Sequence, residues 1–219
     1  MIDQKHIPCI AGSTGLVGSH LLENLSKIYP KVVTLTRKKV NYSNPNIQNV
    51  VVNFDNLNIE SELNGVDHLY IALGTTRKKA GSAENFTKVD YHYCIDLARI
   101  ASNCGIKSIS IISSVGSDPN STFLYPKTKG LIERDISKIS LNHLSIVKPG
   151  IILGKRNESR VGEKIGKTAA KAKQLFEFLG INGSITVVLI ACCRSLTPVE
   201  VFRLAAALLI LLPLAAITA

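Results

Sequence analysis

The chain has 219 residues, of which 46% are hydrophobic and 19% charged, a composition that suits one globular unit with a substantial core better than two units. Its formal net charge is +10, but the cations form short scattered clusters, without zinc-finger spacing, an aromatic-rich RNA-binding signature or a long basic tail. We therefore expect a solvated basic surface, no metal site and no nucleic-acid partner, with nucleic acid as the minor alternative.

Short apolar runs alternate with amphipathic segments up to about Gly154. Six buried strands are predicted at HIPCIAG, KVVTLTR, NVVVNFD, HLYIALG, KSISIISSV and LSIVKPGII. Helices are predicted over GLVGSHLLENLSKI, from about Ala83 to Cys104, and from about Pro126. Buried strands separated by helices are typical of a parallel sheet with both faces covered. The predicted fold is α/β, a Rossmann-type doubly wound parallel sheet in a single domain.

The C-terminal part departs from this alternation. We assign residues 1–173 to the nucleotide-binding domain and 174–219 to a small apolar, helical or substrate-binding segment that completes the domain or mediates contacts. Leu204–Ala219 carry no charge, and Pro213 interrupts them. As a helix they would extend about 24 Å, less than a hydrocarbon core of roughly 30 Å. We expect a buried or partner-facing helix, with a tail anchor as the alternative.

The stretch AGSTGLVGSH places Gly12, Gly15 and Gly18 three residues apart, between the first predicted strand and the first predicted helix. A phosphate can approach backbone N–H groups closely where side chains are absent, and a helix N-terminus favours an anion. Because the turn lies inside a strand–helix–strand unit, the sequence predicts dinucleotide binding.

The second predicted strand ends in TLTRKK, at the position where an acidic residue would bind the ribose 2′-hydroxyl of NAD. Arg37, with Lys38 or Lys39, stands there instead. A guanidinium holds a phosphate through paired charged hydrogen bonds, so this position favours NADP(H) over NAD(H). The alternative is a basic strand end in solvent.

Two further loops follow predicted strands, at the edge where open α/β sheets bind ligands. Asp55 could accept a hydrogen bond from the adenine amino group. Leu73, Gly74 and Thr75 would pass close to the pyrophosphate and the nicotinamide-side ribose. Ordinary turn chemistry explains either loop about as well when it is considered alone.

Candidate catalytic residues lie in IISSVGSDPNSTFLYPKTKG, where Lys129 follows Tyr125 by one helical turn. An ammonium near a phenol stabilises the phenolate and lowers a pKa that is ordinarily about 10, which makes the tyrosine a usable proton donor or acceptor. A serine hydroxyl at the preceding strand end can orient the substrate oxygen. We predict Ser114, Tyr125 and Lys129 as the catalytic residues, with Ser113 as the alternative to Ser114.

The segments GSTGLVG, LGTTRKKAGS, FTKVDY, IISSVGSDPNSTFLYPKTKGLIE and KPGIILGKRNESRVGE resemble the atypical branch of the short-chain dehydrogenase/reductase superfamily, typified by the HIV Tat-interactive oxidoreductase family. The resemblance runs from about His6 to Lys173. It implies NADPH contacts at Gly12, Ser13, Thr14, Gly15, Leu16, Val17, Gly18, Arg37 and Lys38, and a nicotinamide and substrate lining at Pro149, Gly150 and Ile151. Where the superfamily often has an asparagine that relays protons, this chain reads VDYHY with Asp90 nearby, so the relay stays open.

These features predict an NADPH-dependent oxidoreductase that transfers a hydride between nicotinamide and a carbonyl or hydroxyl substrate. The alternative is an NADPH-binding regulatory module with little or no turnover, which would contact a protein through the apolar C-terminus. A third interpretation is peripheral membrane contact through the same segment. We expect a monomer or homodimer and, because MIDQKHIPCIAG lacks the features of a signal peptide, a cytoplasmic location.

Overall fold

The computed structural model describes residues 6–149 and the backbone of residues 189–194. Its strands are β1 (Pro8–Ala11), β2 (Val32–Thr36), β3 (Ile47–Val51), β4 (His68–Ile71), β5 (Ser108–Ile112), β6 (His143–Pro149) and β7 (Leu189–Arg194). They form one sheet in the order β3-β2-β1-β4-β5-β6-β7. All neighbours from β3 to β6 pair in parallel, whereas β7 pairs antiparallel with β6. The predicted doubly wound parallel sheet is confirmed.

The helices are α1 (Leu16–Ile28), α2 (Arg77–Ala80), α3 (Ala83–Thr87), α4 (Tyr93–Asn103) and α5 (Leu124–Ile136). A π-helical turn, Lys88–His92, joins α3 directly to α4. Its width is set by the Tyr93 N–H, which donates to the carbonyl oxygen of Lys88, five residues earlier. Together α3, this π turn and α4 span the helix predicted from about Ala83 to Cys104.

Apolar side chains from alternating strand positions build a core on each face of the sheet. Along β1, Ile10 belongs to the cluster formed with α1, while Cys9 and Ala11 belong to the cluster on the opposite face. The α1 cluster contains Leu21, Leu22, Leu25, Tyr29 and Val32. The opposite cluster contains buried residues of α4 and α5, including Leu97, Ala98, Ala101, Ile132 and Ile136. Helices therefore cover both faces, as a doubly wound sheet requires.

Two boundaries and one strand differ from the sequence prediction. The third strand is Ile47–Val51, earlier than the predicted NVVVNFD, although Val52 and Phe54 beyond its end are buried. Helix α5 begins at Leu124, ahead of Pro126, because a proline in the first helical turn loses an N–H that has no partner within the helix. Strand β7 was not predicted from the sequence.

Some predictions concern residues outside the described part of the chain. These include the terminal apolar helix over Leu204–Ala219 and the site residues Gly150 and Ile151. The division of the chain at residue 173 also stays a prediction, although β7 adds a strand from residues 174–219 to the sheet. Within the described residues, no helix combines the length and the apolar character needed to cross a membrane.

Candidate active site and cofactor cleft

The glycine turn lies where the strand order reverses, between the carboxyl ends of β1 and β4. Gly12 has a φ of 94°, and a Cβ on it would lie 2.5 Å from the carbonyl oxygen of Ala72, just beyond β4. A Cβ on Gly18 would lie 2.1 Å from the carbonyl oxygen of Gly12. These two glycines allow the strand, the turn and the first helix to pack against each other.

Gly15 is less tightly packed than the other two glycines. It is exposed, its φ is −81°, and within 4 Å an added Cβ would meet, among the described atoms considered, only the Gly12 carbonyl oxygen, at 3.3 Å. Gly15 is also the N-cap of α1, and no described side chain caps that end of the helix. The helix N-terminus is therefore available to an anion, the environment that a pyrophosphate requires.

The other residues of the turn divide by burial. Thr14 is exposed, and Leu16 and Val17 are half-buried. Ser13 is buried, and its Oγ lies 3.1 Å from the hydroxyl oxygen of Tyr42 in the loop between β2 and β3. This contact connects the turn with the loop that follows Arg37 and Lys38.

Arg37 and Lys38 are exposed directly after β2, as predicted. A hydrogen bond from a buried side chain fixes their backbone: the Thr36 Oγ1 donates to the Lys38 carbonyl oxygen at 2.8 Å. Asn49 of β3 donates from Nδ2 to the same Thr36 Oγ1 at 2.8 Å and accepts from the Val40 N–H at 2.9 Å. The two cations thus extend into solvent from a turn with a fixed backbone.

Asp55 is exposed after β3, and other side chains already contact its carboxylate. Lys88 Nζ lies 2.7 Å from Asp55 Oδ1, and the Tyr93 hydroxyl donates to the same oxygen. The hydrogen bonds from Lys88 and Tyr93 hold the pKa of Asp55 below its usual value. Any contact with an adenine amino group would share this carboxylate with both residues.

The loop after β4 contacts the π turn that joins α3 to α4. The Thr75 N–H donates to Asp90 Oδ2 at 2.7 Å. Gly74 is exposed, and a Cβ there would lie 3.5 Å from Asp90 Oδ1. Leu73 is half-buried against the main core. Asp90 was not among the predicted site residues, yet it ties this loop to the π turn.

Tyr125 and Lys129 occupy different environments although one helical turn separates them. Tyr125 is 45% exposed, and its ring centroid lies 6.3 Å from that of the buried Phe86. Lys129 is buried, with Nζ 3.0 Å from Asp90 Oδ1 and 3.5 Å from the Ile112 carbonyl oxygen. An exposed phenol next to a buried ammonium suits proton exchange with a ligand in the cleft.

Two opposing effects act on the pKa of Lys129. Burial, the larger single effect, lowers it, but the Asp90 carboxylate, together with the Cys94 and Tyr125 side chains, raises it above the ordinary value. Lys129 is therefore charged at neutral pH. The sequence carried one signal for Asp90. Phe86, Asp90 and Cys94 follow one another at intervals of four residues, so an acidic residue lies on an otherwise apolar helix face.

The structure separates Ser113 from Ser114 by their hydrogen bonds. Ser113 is buried, and its hydroxyl donates to Glu133 of α5, a carboxylate that also accepts from Ser117. The other Glu133 oxygen lies 2.7 Å from Lys148 Nζ. Ser114 is half-buried, and its Oγ lies 3.1 Å from the Val115 carbonyl oxygen. Glu133, which the sequence analysis missed, joins β5, α5 and β6.

Pro149 is buried at the end of β6. Its carbonyl oxygen accepts from the Val115 N–H at 3.2 Å, so it lies beside the serine loop. The predicted residues of the glycine turn, the loop after β4, the serine loop and the Tyr–Lys pair all lie toward the carboxyl edge of the sheet, where open α/β sheets bind ligands.

Comparison with known proteins identifies the family. The HIM1 family model matches residues 19–179. The chain belongs to the HIM1 family. It is 38% identical over 167 residues to Protein FMP52, mitochondrial, of Candida albicans, covering 73% of each chain. It is 35% identical over 164 residues to Protein HTATIP2 of Rattus norvegicus, covering 72% of this chain and 67% of the rat protein. The predicted resemblance to the HIV Tat-interactive oxidoreductase family is confirmed.

Solved structures support the fold. A candidate NAD-dependent epimerase/dehydratase of Bacillus halodurans is 24% identical with a TM-score of 0.57, covering 70% of this chain and 73% of the other. The Bordetella bronchiseptica enzyme WbmH, in complex with NAD+, is 17% identical with a TM-score of 0.58, covering 71% and 59%. At these identities the likeness establishes the Rossmann-type fold.

The prediction of a cytoplasmic location is wrong. The FMP52 relatives from Candida albicans, Lodderomyces elongisporus and Aspergillus niger are all named as mitochondrial proteins. The prediction relied on the absence of a secretory signal, which separates secreted from intracellular proteins but does not distinguish compartments within the cell.

Proposed function

We propose that the protein is an NADP(H)-dependent oxidoreductase acting on a carbonyl or hydroxyl group. The observation that carries the proposal is the pairing of an exposed phenol, Tyr125, with a buried, charged ammonium, Lys129, at the same sheet edge as an uncapped glycine turn. Structural neighbours solved with NAD+ or NAD, WbmH and the UDP-glucuronic acid 4-epimerase of Bacillus cereus, support a nicotinamide dinucleotide as the cofactor.

The residues at this edge fit such a cofactor. The open N-terminus of α1 at Gly15 would hold the pyrophosphate, because its backbone N–H groups and helix dipole favour an anion. Arg37 and Lys38 would hold the 2′-phosphate of NADP(H), which an acidic residue at the same place would repel. Gly74 and Thr75 would lie along the nicotinamide-side ribose.

The chain's own groups supply the proton chemistry. When bound, the nicotinamide ring gives or takes the hydride. Tyr125 donates a proton to the substrate oxygen during reduction, or accepts one during oxidation. Lys129 stabilises the phenolate by its positive charge and, with the cofactor bound, would donate to the adjoining ribose. Pro149, Gly150 and Ile151 would line the nicotinamide and substrate.

Ser114 is the better candidate for the serine that orients the substrate oxygen. The hydroxyl of Ser113 is buried and donates to Glu133, so its hydrogen serves the contact between β5 and α5. The hydroxyl of Ser114 makes a local contact with the neighbouring Val115 carbonyl, which a substrate oxygen can replace at little structural cost.

The decisive experiment begins with protein purified without added cofactor. Denaturing it and identifying any released nucleotide by mass tests NADP(H) against NAD(H). A panel of aldehydes, ketones and quinones is then assayed for NADPH oxidation. Substrate-dependent oxidation that Tyr125→Phe abolishes supports the proposal. Tight NADPH binding without turnover on any panel member would instead favour the regulatory module.

We also propose that the protein acts in mitochondria. The names of the fungal relatives support this location. Fractionation of cells that express the untagged full chain, with protease protection of the organelle fraction, tests it. Recovery in the cytosolic fraction alone would contradict this proposal without affecting the proposed chemistry.

A further inference from the structure

A buried ion pair lies behind the Tyr–Lys motif. The side chains of Lys129 and Asp90 are 5% and 2% exposed, and Nζ lies 3.0 Å from Oδ1. Removing two charges from water is costly, and their mutual attraction offsets that cost only when further hydrogen bonds satisfy the remaining oxygens. Here Asp90 Oδ2 accepts from the Thr75 N–H at 2.7 Å. Both carboxylate oxygens therefore have a partner.

The backbone around Asp90 is also unusual. Asp90 lies at the centre of the π turn Lys88–His92, and such wide turns are frequent at functional sites. The next residue, Tyr91, donates its hydroxyl hydrogen to Asp135 Oδ2 of α5 at 2.8 Å. The π turn is therefore joined to α5 by two contacts, one through Lys129 and one through Asp135.

The groups that face Lys129 come from several packed elements. Asp90 contributes a carboxylate, Cys94 of α4 a thiol, Tyr125 of the same helix a phenol, and Ile112 of β5 a carbonyl oxygen. Burial raises the pKa of the Cys94 thiol to about 12, so that group is neutral at physiological pH. Among the described residues, Asp90 is thus the carboxylate that balances the Lys129 charge.

We propose that Asp90 is a positioning residue of the active site, which keeps the Lys129 ammonium charged and fixed beside Tyr125 and ties it to the backbone of the loop after β4. This inference rests on the proposed function, because it assigns Lys129 to proton transfer. Its structural consequence is that the loop predicted to lie along the nicotinamide-side ribose and the Tyr–Lys pair are held as one unit through a single carboxylate.

Asp90→Asn tests the charge without removing the shape. The amide oxygen can still accept from the Thr75 N–H, but the neutral amide no longer balances the Lys129 charge. Burial then becomes the dominant effect on the pKa of Lys129 and lowers it. Tyr91→Phe is the matched control, because it removes the other contact between the π turn and α5 and leaves the charge at Lys129 unchanged.

The first measurement needs neither cofactor nor substrate. Carbon-13 NMR of lysine Cε atoms, with the Lys129 signal assigned by its loss in Lys129→Arg, follows the deprotonation of Lys129 with pH. Because burial lowers lysine pKa values by up to 3–5 units, we expect the midpoint in Asp90→Asn to fall by about one pH unit or more, and no shift in Tyr91→Phe. An unchanged midpoint in Asp90→Asn overturns the inference.

The second measurement follows turnover against pH on an accepted substrate. At pH 6 Lys129 is protonated in wild type and variant alike, so their kcat values converge. As pH rises through the lowered Lys129 midpoint, the variant loses the cation that stabilises the Tyr125 phenolate, and its kcat falls by about tenfold one pH unit above that midpoint. KM changes little. An equal loss at every pH, or the same loss in Tyr91→Phe, indicates a merely structural role and contradicts the inference.

Failure of the proposed function gives a different pattern. If wild type binds no nicotinamide dinucleotide while the NMR midpoint shifts as expected, the ion pair is real and the oxidoreductase proposal is wrong. Should Asp90→Asn not fold, a double variant, Asp90→Asn with Lys129→Met, replaces it. Because no charge is then buried, the double variant is expected to fold and unfold at a higher urea concentration than Lys129→Met alone. A double variant less stable than Lys129→Met would overturn the inference.

Discussion

The two ends of the proposed cofactor cleft use positive charge in opposite ways. At the adenosine end, Arg37 and Lys38 are exposed on a turn whose backbone is fixed by a hydrogen bond from the buried Thr36. At the catalytic end, Lys129 is buried and paired with Asp90. An exposed cation is screened by salt and is replaceable at small cost, whereas a buried cation cannot be removed without leaving its partner uncompensated. The first arrangement suits selection of a ligand, and the second suits control of a proton.

Tyr125→Phe should give the largest functional loss at the catalytic end. The ring stays and its hydroxyl is lost, so NADPH affinity should be nearly unchanged, while general acid–base catalysis is worth typically about 10²- to 10⁴-fold in rate. Steady-state turnover and NADPH titration measure the two quantities. Wild-type turnover in this variant would eliminate the Tyr–Lys mechanism. Tyr91→Phe, which removes a phenol hydroxyl bonded to Asp135, is expected to retain turnover.

Lys129→Met should damage stability, cofactor affinity and turnover together. It leaves the Asp90 carboxylate buried without a cation, a change that typically costs about 3–5 kcal/mol. Lys127→Met is the control, because Lys127 is exposed on the same helix and surface substitutions usually stay within about 0.5 kcal/mol. Urea unfolding of both variants decides the matter. Equal midpoints would remove the distinction between the exposed and the buried end.

Arg37→Asp should change cofactor choice at the adenosine end without affecting the catalytic end. Loss of a charge-assisted hydrogen bond costs about 1.5–3 kcal/mol, so NADPH affinity should fall by about tenfold or more. The new carboxylate can accept from the 2′-hydroxyl of NADH. Lys31→Asp makes the same charge change on an exposed residue before the other end of β2. If the NADPH to NADH affinity ratio is the same in both variants, the assignment of Arg37 is incorrect.

Ionic strength should have the smallest effect of these changes, and it should act only on cofactor preference at the adenosine end. Raising the ionic strength from about 0.05 to 0.5 M shortens the screening length. The preference for NADPH over NADH should then weaken by roughly two- to threefold, because the cations at the adenosine end are exposed. The rate of the proton-transfer step at saturating cofactor should change little, because Lys129 is buried. If the rate of proton transfer falls in parallel with the preference for NADPH, the contrast between an exposed adenosine end and a buried catalytic end is wrong.

Local patterns predicted much of the fold. The glycine turn, the apolar strands and the helix carrying Tyr125 and Lys129 are each encoded within short stretches, where spacing fixes which side chains share a face. The doubly wound sheet follows from their alternation. The shifted bounds of β3 reflect a limit of such patterns, because Val52 and Phe54 are buried in the segment that follows the strand and so resemble strand residues in the sequence.

The features that sequence patterns missed depend on contacts between distant elements. Asp90 and Lys129 lie on different helices, and nothing in the periodicity around Asp90 predicts a π turn. Glu133 was missed because its partners come from the serine loop and β6. The burial of Lys129 also could not be predicted, since the Tyr–Lys spacing gives proximity along a helix but does not indicate how the rest of the chain covers it.

The π turn has a consequence for how this segment tolerates insertions and deletions. The wide turn holds one residue more than an α-helical turn, as the bond from Tyr93 N–H to the Lys88 carbonyl oxygen marks. Deleting one residue there, other than Asp90, would convert the wide turn into an ordinary α-helical turn and leave α3 and α4 close to their present orientation, because the extra residue is what widens the turn. Phe86 would stay in the core, and the change would fall on Asp90, whose carboxylate contacts Lys129 Nζ and the Thr75 N–H. The extra residue thus sets the position of the Asp90 carboxylate without altering the packing of the helices on either side, and a one-residue deletion separates these two properties.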